Sequence, residues 1–182
     1  SPTAPTPLME TYNRFPIRLI KGKGCWVWDS QGKKYLDAVA GIATCSLGHS
    51  NKALARALRK QLNLLQHVSN LYEIPEQEEL AKWLVHNSCT DKAFFCNSGA
   101  EANEAAIKLA RKYGNLKKKI TDPIILSANN SFHGRTLAAV SATGQKRYHL
   151  GFEPLVKGFD FFEYNNSESF SKLLARVEED SP

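Results

Sequence analysis

The chain has 182 residues, 42% hydrophobic and 23% charged, which is ordinary for a soluble globular protein and long enough to bury a core. Lys and Arg exceed Asp and Glu by 24 to 18. The excess is scattered apart from Lys117–Lys119, which reads as a solvated loop rather than a nucleic-acid patch, and a modest positive balance suits anionic small molecules. No apolar run approaches membrane-spanning length and no secretory core is present. The four cysteines, Cys25, Cys45, Cys89 and Cys96, make no CxxC pair, and no His or Cys falls at zinc-finger spacing. No metal site is therefore expected, and the thiols read as the reduced cysteines of a cytosolic protein.

In chain order, Ser1–Pro7 is Pro-rich and reads as an extended arm or the remnant of a targeting peptide. Trp26–Asp29 is predicted as a strand, Ser30–Lys34 as turn chemistry, and Tyr35–Asp37 as the returning strand. Residues 52–67 carry Leu54, Leu58, Leu62 and Leu65 at helical spacing. Pro75 followed by Glu76, Glu78 and Glu79 opens a helix that should run to about Asn87, the acids lying near the positive end of its dipole. From there strand and helix alternate: strand Ala93–Cys96, helix Ser98–Tyr113 stopped by Gly114, strand Ile124–Leu126, a third strand within Val156–Phe162, and a helix over 167–179 with Phe170, Leu173, Leu174 and Val177 on one face. That order predicts an α/β fold with a largely parallel sheet under helices. Residues 1–90 read as an arm and a small lobe, and 91–182 as the first part of a larger domain.

Ser98-Gly99-Ala100-Glu101 follows a short apolar strand and fits a capping box, with Ser98 as N-cap and Glu101 three residues on. Gly99 and Ala100 leave their amides bare at a helix start, where unpaired N–H groups and the dipole favour an anion. By itself the tetrad marks only a capped helix. It is neither a P-loop nor GxGxxG, which disfavours a nucleotide-binding reading. After the next strand comes Ser131-Phe132-His133-Gly134-Arg135-Thr136. Phe132 offers a flat face for a heteroaromatic ring, Gly134 allows a tight turn, and Arg135 presents a planar fork that matches a carboxylate. His133 reads as a proton carrier or a polar neighbour of the ring. Phosphate amides, a stacking ring and a carboxylate fork on successive strand ends suit a small aromatic phosphate together with an amino acid, at the strand ends where open α/β sheets bind ligands.

These segments resemble the class III pyridoxal-phosphate-dependent aminotransferases over almost the whole chain. The likeness runs through Gly22-Lys23-Gly24-Cys25, Asp29, Gly32, Tyr35-Leu36-Asp37, Gly41-Ile42-Ala43 and Leu47-Gly48-His49. Asn97–Glu104 is similar to the family's phosphate motif, with Ala100 where many members carry Thr, an exchange that forfeits a hydroxyl but keeps the amide. Phe132–Thr136 is similar to its ring-stacking and carboxylate motif, and His67-Val68-Ser69-Asn70 resembles the acetylornithine branch. The resemblance implies fold type I, with a small α+β lobe followed by a mainly parallel-sheet domain, and PLP as cofactor. It implies that Ser98, Gly99, Ala100, Phe132 and His133 bind the cofactor and that Arg135 holds the substrate carboxylate. It also implies a cytoplasmic homodimer (in a eukaryote, one of an organelle's stroma or matrix) that takes an amino acid and a 2-oxo acid, with no nucleic acid or membrane partner. The implied reaction is transamination between N2-acetylornithine and 2-oxoglutarate in arginine biosynthesis. Ornithine, 4-aminobutyrate and succinyldiaminopimelate are the alternative donors, and a non-catalytic anion-binding or dimerising domain is the alternative role.

The family's Schiff-base lysine, and the Asp that pairs with the pyridinium nitrogen, lie well downstream of the second motif. Lys146, Lys157 and Lys172 follow it here, but none sits in a matching segment. No catalytic residue is therefore assigned to this chain. The expectation is a truncated polypeptide that carries the cofactor's cradle, does not transaminate alone, and is poorly stable with its parallel sheet half built.

Overall fold

β2 (Trp26–Asp29) is the centre of the first sheet, pairing antiparallel with β1 (Leu19–Lys23) on one side and β3 (Lys34–Leu36) on the other. This is a computed structural model, and it describes residues 7–179. The predicted N-terminal arm lies outside the described residues except for Pro7. β2 and β3 fall where the sequence predicts strands. β1 was not predicted, because Leu-Ile-Lys-Gly-Lys does not alternate cleanly; the ladder to β2, with a bulge between Leu19 and Lys21, makes it a strand.

One carboxylate builds the β2–β3 turn. Asp29 Oδ1 accepts from the N–H groups of Gln31 and Lys33, both at 2.9 Å, and Oδ2 accepts from the Tyr35 hydroxyl at 2.7 Å. These donors hold its pKa below the ordinary carboxylate value, the Tyr35 bond first, against the opposing effect of burial.

Beyond β3 the chain makes a tight turn, α1 (Ala40–Ala43), in which φ is positive at all four residues: 50°, 66°, 59° and 61°. Only Gly adopts this region without cost. Asp37 holds the turn, its Oδ1 accepting from Val39 N (3.1 Å) and Ala40 N (2.8 Å) and its Oδ2 from His49 Nε2 (2.7 Å). α2 (Lys52–Leu62) follows, capped by Asn51, whose side chain accepts from Ala53 N and Leu54 N. It stops short of the predicted residue 67, its end marked by the Asn63 side-chain amide bonding to the Arg59 carbonyl at 2.9 Å. Its leucine stripe stays open, with Leu54, Leu58 and Leu62 about half exposed.

The chain falls into two compact units, Ser1–Pro75 and Glu76–Pro182. α3 (Pro75–His86) opens the second, with Glu76 and Glu78 in its first turn as predicted. Two expectations fail next to it. Ala93–Cys96 makes no ladder, because no described strand lies beside it. Gly114 does not stop α4 (Gly99–Tyr113): it is right-handed, and the helix runs on into a π-turn, Gly114–Lys118, that ends at left-handed Lys119. Gly114 is small for a packing reason instead, since a Cβ there would sit 2.8 Å from Pro123 Cβ.

β4 (Ile125–Ala128) and β5 (Phe159–Phe162) pair in parallel, Ile125 opposite Phe159 and Ala128 opposite Phe162. This is the predicted strand–helix–strand order. α5 (Leu137–Ala142) lies between them in sequence with Ala139, Val140 and Ala142 buried. α6 (Ser167–Glu179) packs on β5, burying Leu173 and setting the Phe170 ring edge-on to Phe162 at 5.2 Å. Gly144 closes this core: it bridges to Asn129, and a Cβ on it would lie 2.3 Å from the Ala128 carbonyl oxygen.

Candidate functional site

The site begins at the N-terminus of α4. Ser98 is extended (φ −153°, ψ 161°), and its Oγ accepts from Glu101 N at 3.2 Å, as a capping box requires. The reciprocal bond is shifted by one residue, because Glu101 Oε2 accepts from Asn97 N at 2.6 Å rather than from Ser98 N. Glu101 therefore braces the approach to the helix and leaves its mouth clear. Among the described residues the amides of Gly99 and Ala100 have no hydrogen-bond partner. A Cβ added to Gly99 would meet nothing within 4 Å.

The second motif lies against this helix start. Gly134 has φ +131°, and a Cβ there would fall 2.8 Å from Ala100 Cβ and 3.1 Å from Ala139 Cβ. Only glycine lets the loop come that close. Two side chains of α4 fasten it: Asn103 Nδ2 donates to the His133 carbonyl at 2.7 Å, and Glu104 Oε1 accepts from the Thr136 hydroxyl and from Ala139 N at 3.2 Å. From the other side, fully buried Thr143 accepts from His133 N at 3.0 Å through its Oγ1, which in turn donates to the Ala139 carbonyl at 2.9 Å. Ser131 Oγ accepts from Gly144 N.

The predicted site residues therefore share one region, but unequally. Ala100 and Gly134 are brought into packing distance, while the space over Gly99 stays open. Phe132 is 52% exposed and makes a T-shaped contact with Tyr148, the ring centroids 5.5 Å apart. Ser98 and Arg135 are exposed. His133 is half-buried and lines a cleft with Ala128, Asn130, Ser131, Phe162 and Tyr164, at the C-terminal ends of β4 and β5. Sequence reasoning missed Asn103, Glu104 and Thr143. The first two stood inside the quoted phosphate motif, but their partners lie about thirty residues away, and no local pattern shows that pairing.

The site can take a small phosphorylated aromatic molecule. Two unpartnered amides at a dipole's positive end accept an oxyanion, a half-exposed ring can lie against a flat ligand, and the guanidinium of Arg135 suits a carboxylate. Bare amides, the open space over Gly99 and a half-exposed ring all fit PLP. Among the described residues no group of three or more His, Cys, Asp or Glu could hold a metal, and no helix is long and apolar enough to cross a membrane.

A capped helix with bare amides, an exposed ring and a guanidinium-bearing loop lie in an α/β unit with a parallel strand pair, a class of fold that binds ligands at its strand ends. The chain belongs to the class III aminotransferases, whose family model matches residues 9–180, and its architecture is that family's fold type I α/β arrangement. It is 68% identical over 182 residues to the acetylornithine aminotransferase of Prochlorococcus marinus, covering 100% of this chain and 43% of that protein. Among solved structures it superposes on the ornithine aminotransferase of Toxoplasma gondii, which has partial occupancy of PLP at its active site, with a TM-score of 0.84 and 29% identity, over 90% of this chain and 39% of that one. It also superposes on the N-acetylornithine aminotransferase of Stenotrophomonas maltophilia, with a TM-score of 0.73 and 34% identity, over 91% and 40% respectively. The chain thus spans less than half the length of the relatives it matches.

Proposed function

We propose that these residues form the cofactor cradle of a PLP-dependent acetylornithine aminotransferase, which moves the amino group of N2-acetylornithine to 2-oxoglutarate and yields N-acetylglutamate 5-semialdehyde and glutamate. The observation that carries this reading is the packing of Gly134 on Ala100, which sets the Phe132–Thr136 loop over the bare amides of α4. The family and the 68% identical relative support the reaction.

In this reading Ser98 holds the start of α4 open, and the Gly99 and Ala100 amides bind the PLP phosphate. Phe132 covers the pyridine face, His133 stands beside the ring, and Arg135 takes the substrate's carboxylate. The chemistry PLP supplies when bound is an electron sink at the carbon that bears the amino group. Phe132 would shield one face of a bound ring from water, and the Arg135 fork would orient the substrate before reaction. The working enzyme is a homodimer, supported by the open leucine stripe of α2. Its compartment is the cytoplasm, supported by four free cysteines.

The test uses the full-length protein. Adding PLP should produce the visible absorbance band of bound cofactor, and N2-acetylornithine with 2-oxoglutarate should yield glutamate. Pure folded protein without that band would refute the cradle; a band with activity on ornithine or 4-aminobutyrate only would refute the donor. Arg135→Ala should raise KM for the amino donor by an amount corresponding to about 1.5–3 kcal/mol, the worth of a charged hydrogen-bonded pair, and an unchanged KM would refute its role.

A further inference from the structure

We propose that Asn103 and Glu104 are positioning residues that aim Arg135, binding substrate carboxylate through it without touching substrate or cofactor; the proposal rests on the carboxylate-binding role of Arg135 given above. The two are consecutive on α4, one turn in from the bare amides. Asn103 grips the His133 carbonyl at 2.7 Å, and Glu104 grips the Thr136 hydroxyl and Ala139 N. Their grips bracket Gly134 and Arg135, so the backbone that carries the guanidinium is fixed on both sides by one helix.

The Glu104 bond has a second effect. Thr136 is the N-cap residue of α5, yet its own side chain makes no cap bond. Its hydroxyl donates to Glu104 instead, and the Glu104 carboxylate takes the Ala139 amide that an N-cap side chain normally satisfies. α5 is thus capped by a residue of α4. Ala139, Val140, Ser141 and Ala142 are buried, so the cap ties the loop to a buried base. Anion cradle and carboxylate fork are thereby carried on one rigid element, α4, with a fixed separation. That separation would select carboxylate substrates by the reach from phosphate to carboxylate.

The experiment uses the full-length holoenzyme and glutarate, an unreactive dicarboxylate, with Kd read by calorimetry and KM and kcat measured alongside. Glu104→Ala should weaken glutarate about tenfold to a hundredfold, since misplacing a positioned group by roughly 1 Å costs on that order. KM should rise in step, with a smaller change in kcat and in the PLP dissociation constant. Glu104→Gln keeps an acceptor oxygen for both donors and should stay within about threefold of wild type. The double variant Glu104→Ala/Arg135→Ala should be no weaker than Arg135→Ala alone, because both act through one guanidinium. Unchanged Kd in Glu104→Ala, or losses that multiply in the double variant, overturns the proposal. Should Glu104→Ala not fold, Asn103→Ala decides, with a weakened Kd expected and an unchanged one refuting. Should Arg135→Ala itself leave Kd unchanged, the carboxylate reading of Arg135 fails and this inference with it. Weak binding in Arg135→Ala beside normal binding in Glu104→Ala and Asn103→Ala sinks this inference alone.

Discussion

Gly134→Ala tests the contact on which the site depends. The added methyl would start 2.8 Å from Ala100 Cβ and 3.1 Å from both Ala100 Cα and Ala139 Cβ. Two of these neighbours are Cβ atoms of alanines and the third is backbone, so no flexible side chain can swing away. Forcing an extra carbon into such a contact costs about 1–3 kcal/mol. The φ of +131° adds a second cost, because an L residue held in a glycine-only region is strained by roughly 1–3 kcal/mol. Together they come to about 2–6 kcal/mol, relieved only if the loop lifts from α4 and carries Phe132 and Arg135 with it. In the full-length protein the variant should therefore lose urea resistance and PLP affinity together. The control is Gly99→Ala, in the first motif, where the new methyl meets nothing within 4 Å. It should keep or slightly raise stability, Ala being the better helix former by up to about 1 kcal/mol, while still weakening PLP by partly covering the amide. A Gly134→Ala protein with wild-type urea midpoint and wild-type PLP affinity would refute the close-approach argument. Loss of stability in Gly99→Ala would refute the open mouth.

Two further outcomes follow from the bonds around the site and in the first unit. Thr143→Val keeps the shape of a fully buried side chain but leaves His133 N without its acceptor; stability should fall by about 1–3 kcal/mol in urea unfolding, and a neutral result would mean that another acceptor serves that amide. Asp37 has its pKa lowered, first by the His49 bond and then by the amides of Ala40 and Val39, against burial. A depressed folded-state pKa contributes stability above the unfolded value of about 3.9, lost as pH falls through the lower folded one. The urea-midpoint difference between wild type and Asp37→Asn should therefore shrink as pH drops below about 4, and a pH-independent difference would exclude Asp37 as the titrating group.

Local patterns determined much of this protein. Ser98 with Glu101 three residues on, the leucine spacing of α2, Pro75 with its following acids, and the apolar runs at β4 and β5 each act over a few residues, so each was legible as an element. The two motifs were legible too, as a bare helix start and as a ring beside a fork. What local patterns could not decide depended on partners distant in the chain. Leu19–Lys23 is a strand because β2 pairs with it, and Ala93–Cys96 forms no ladder because no described strand reaches it. Gly114 suggested a helix stop, but it is small because Pro123 packs on it. The left-handed turn at Ala40–Ala43 has one glycine among four residues, and it holds because Asp37 and His49 enforce it. Above all, Asn103 and Glu104 look like ordinary helix residues until the fold sets His133, Thr136 and Ala139 beside them. A hydrogen bond across about thirty residues leaves no periodic trace in sequence, so the sequence supplied the chemical groups of the proposed cradle, and only tertiary packing tied the Phe132–Thr136 loop to α4.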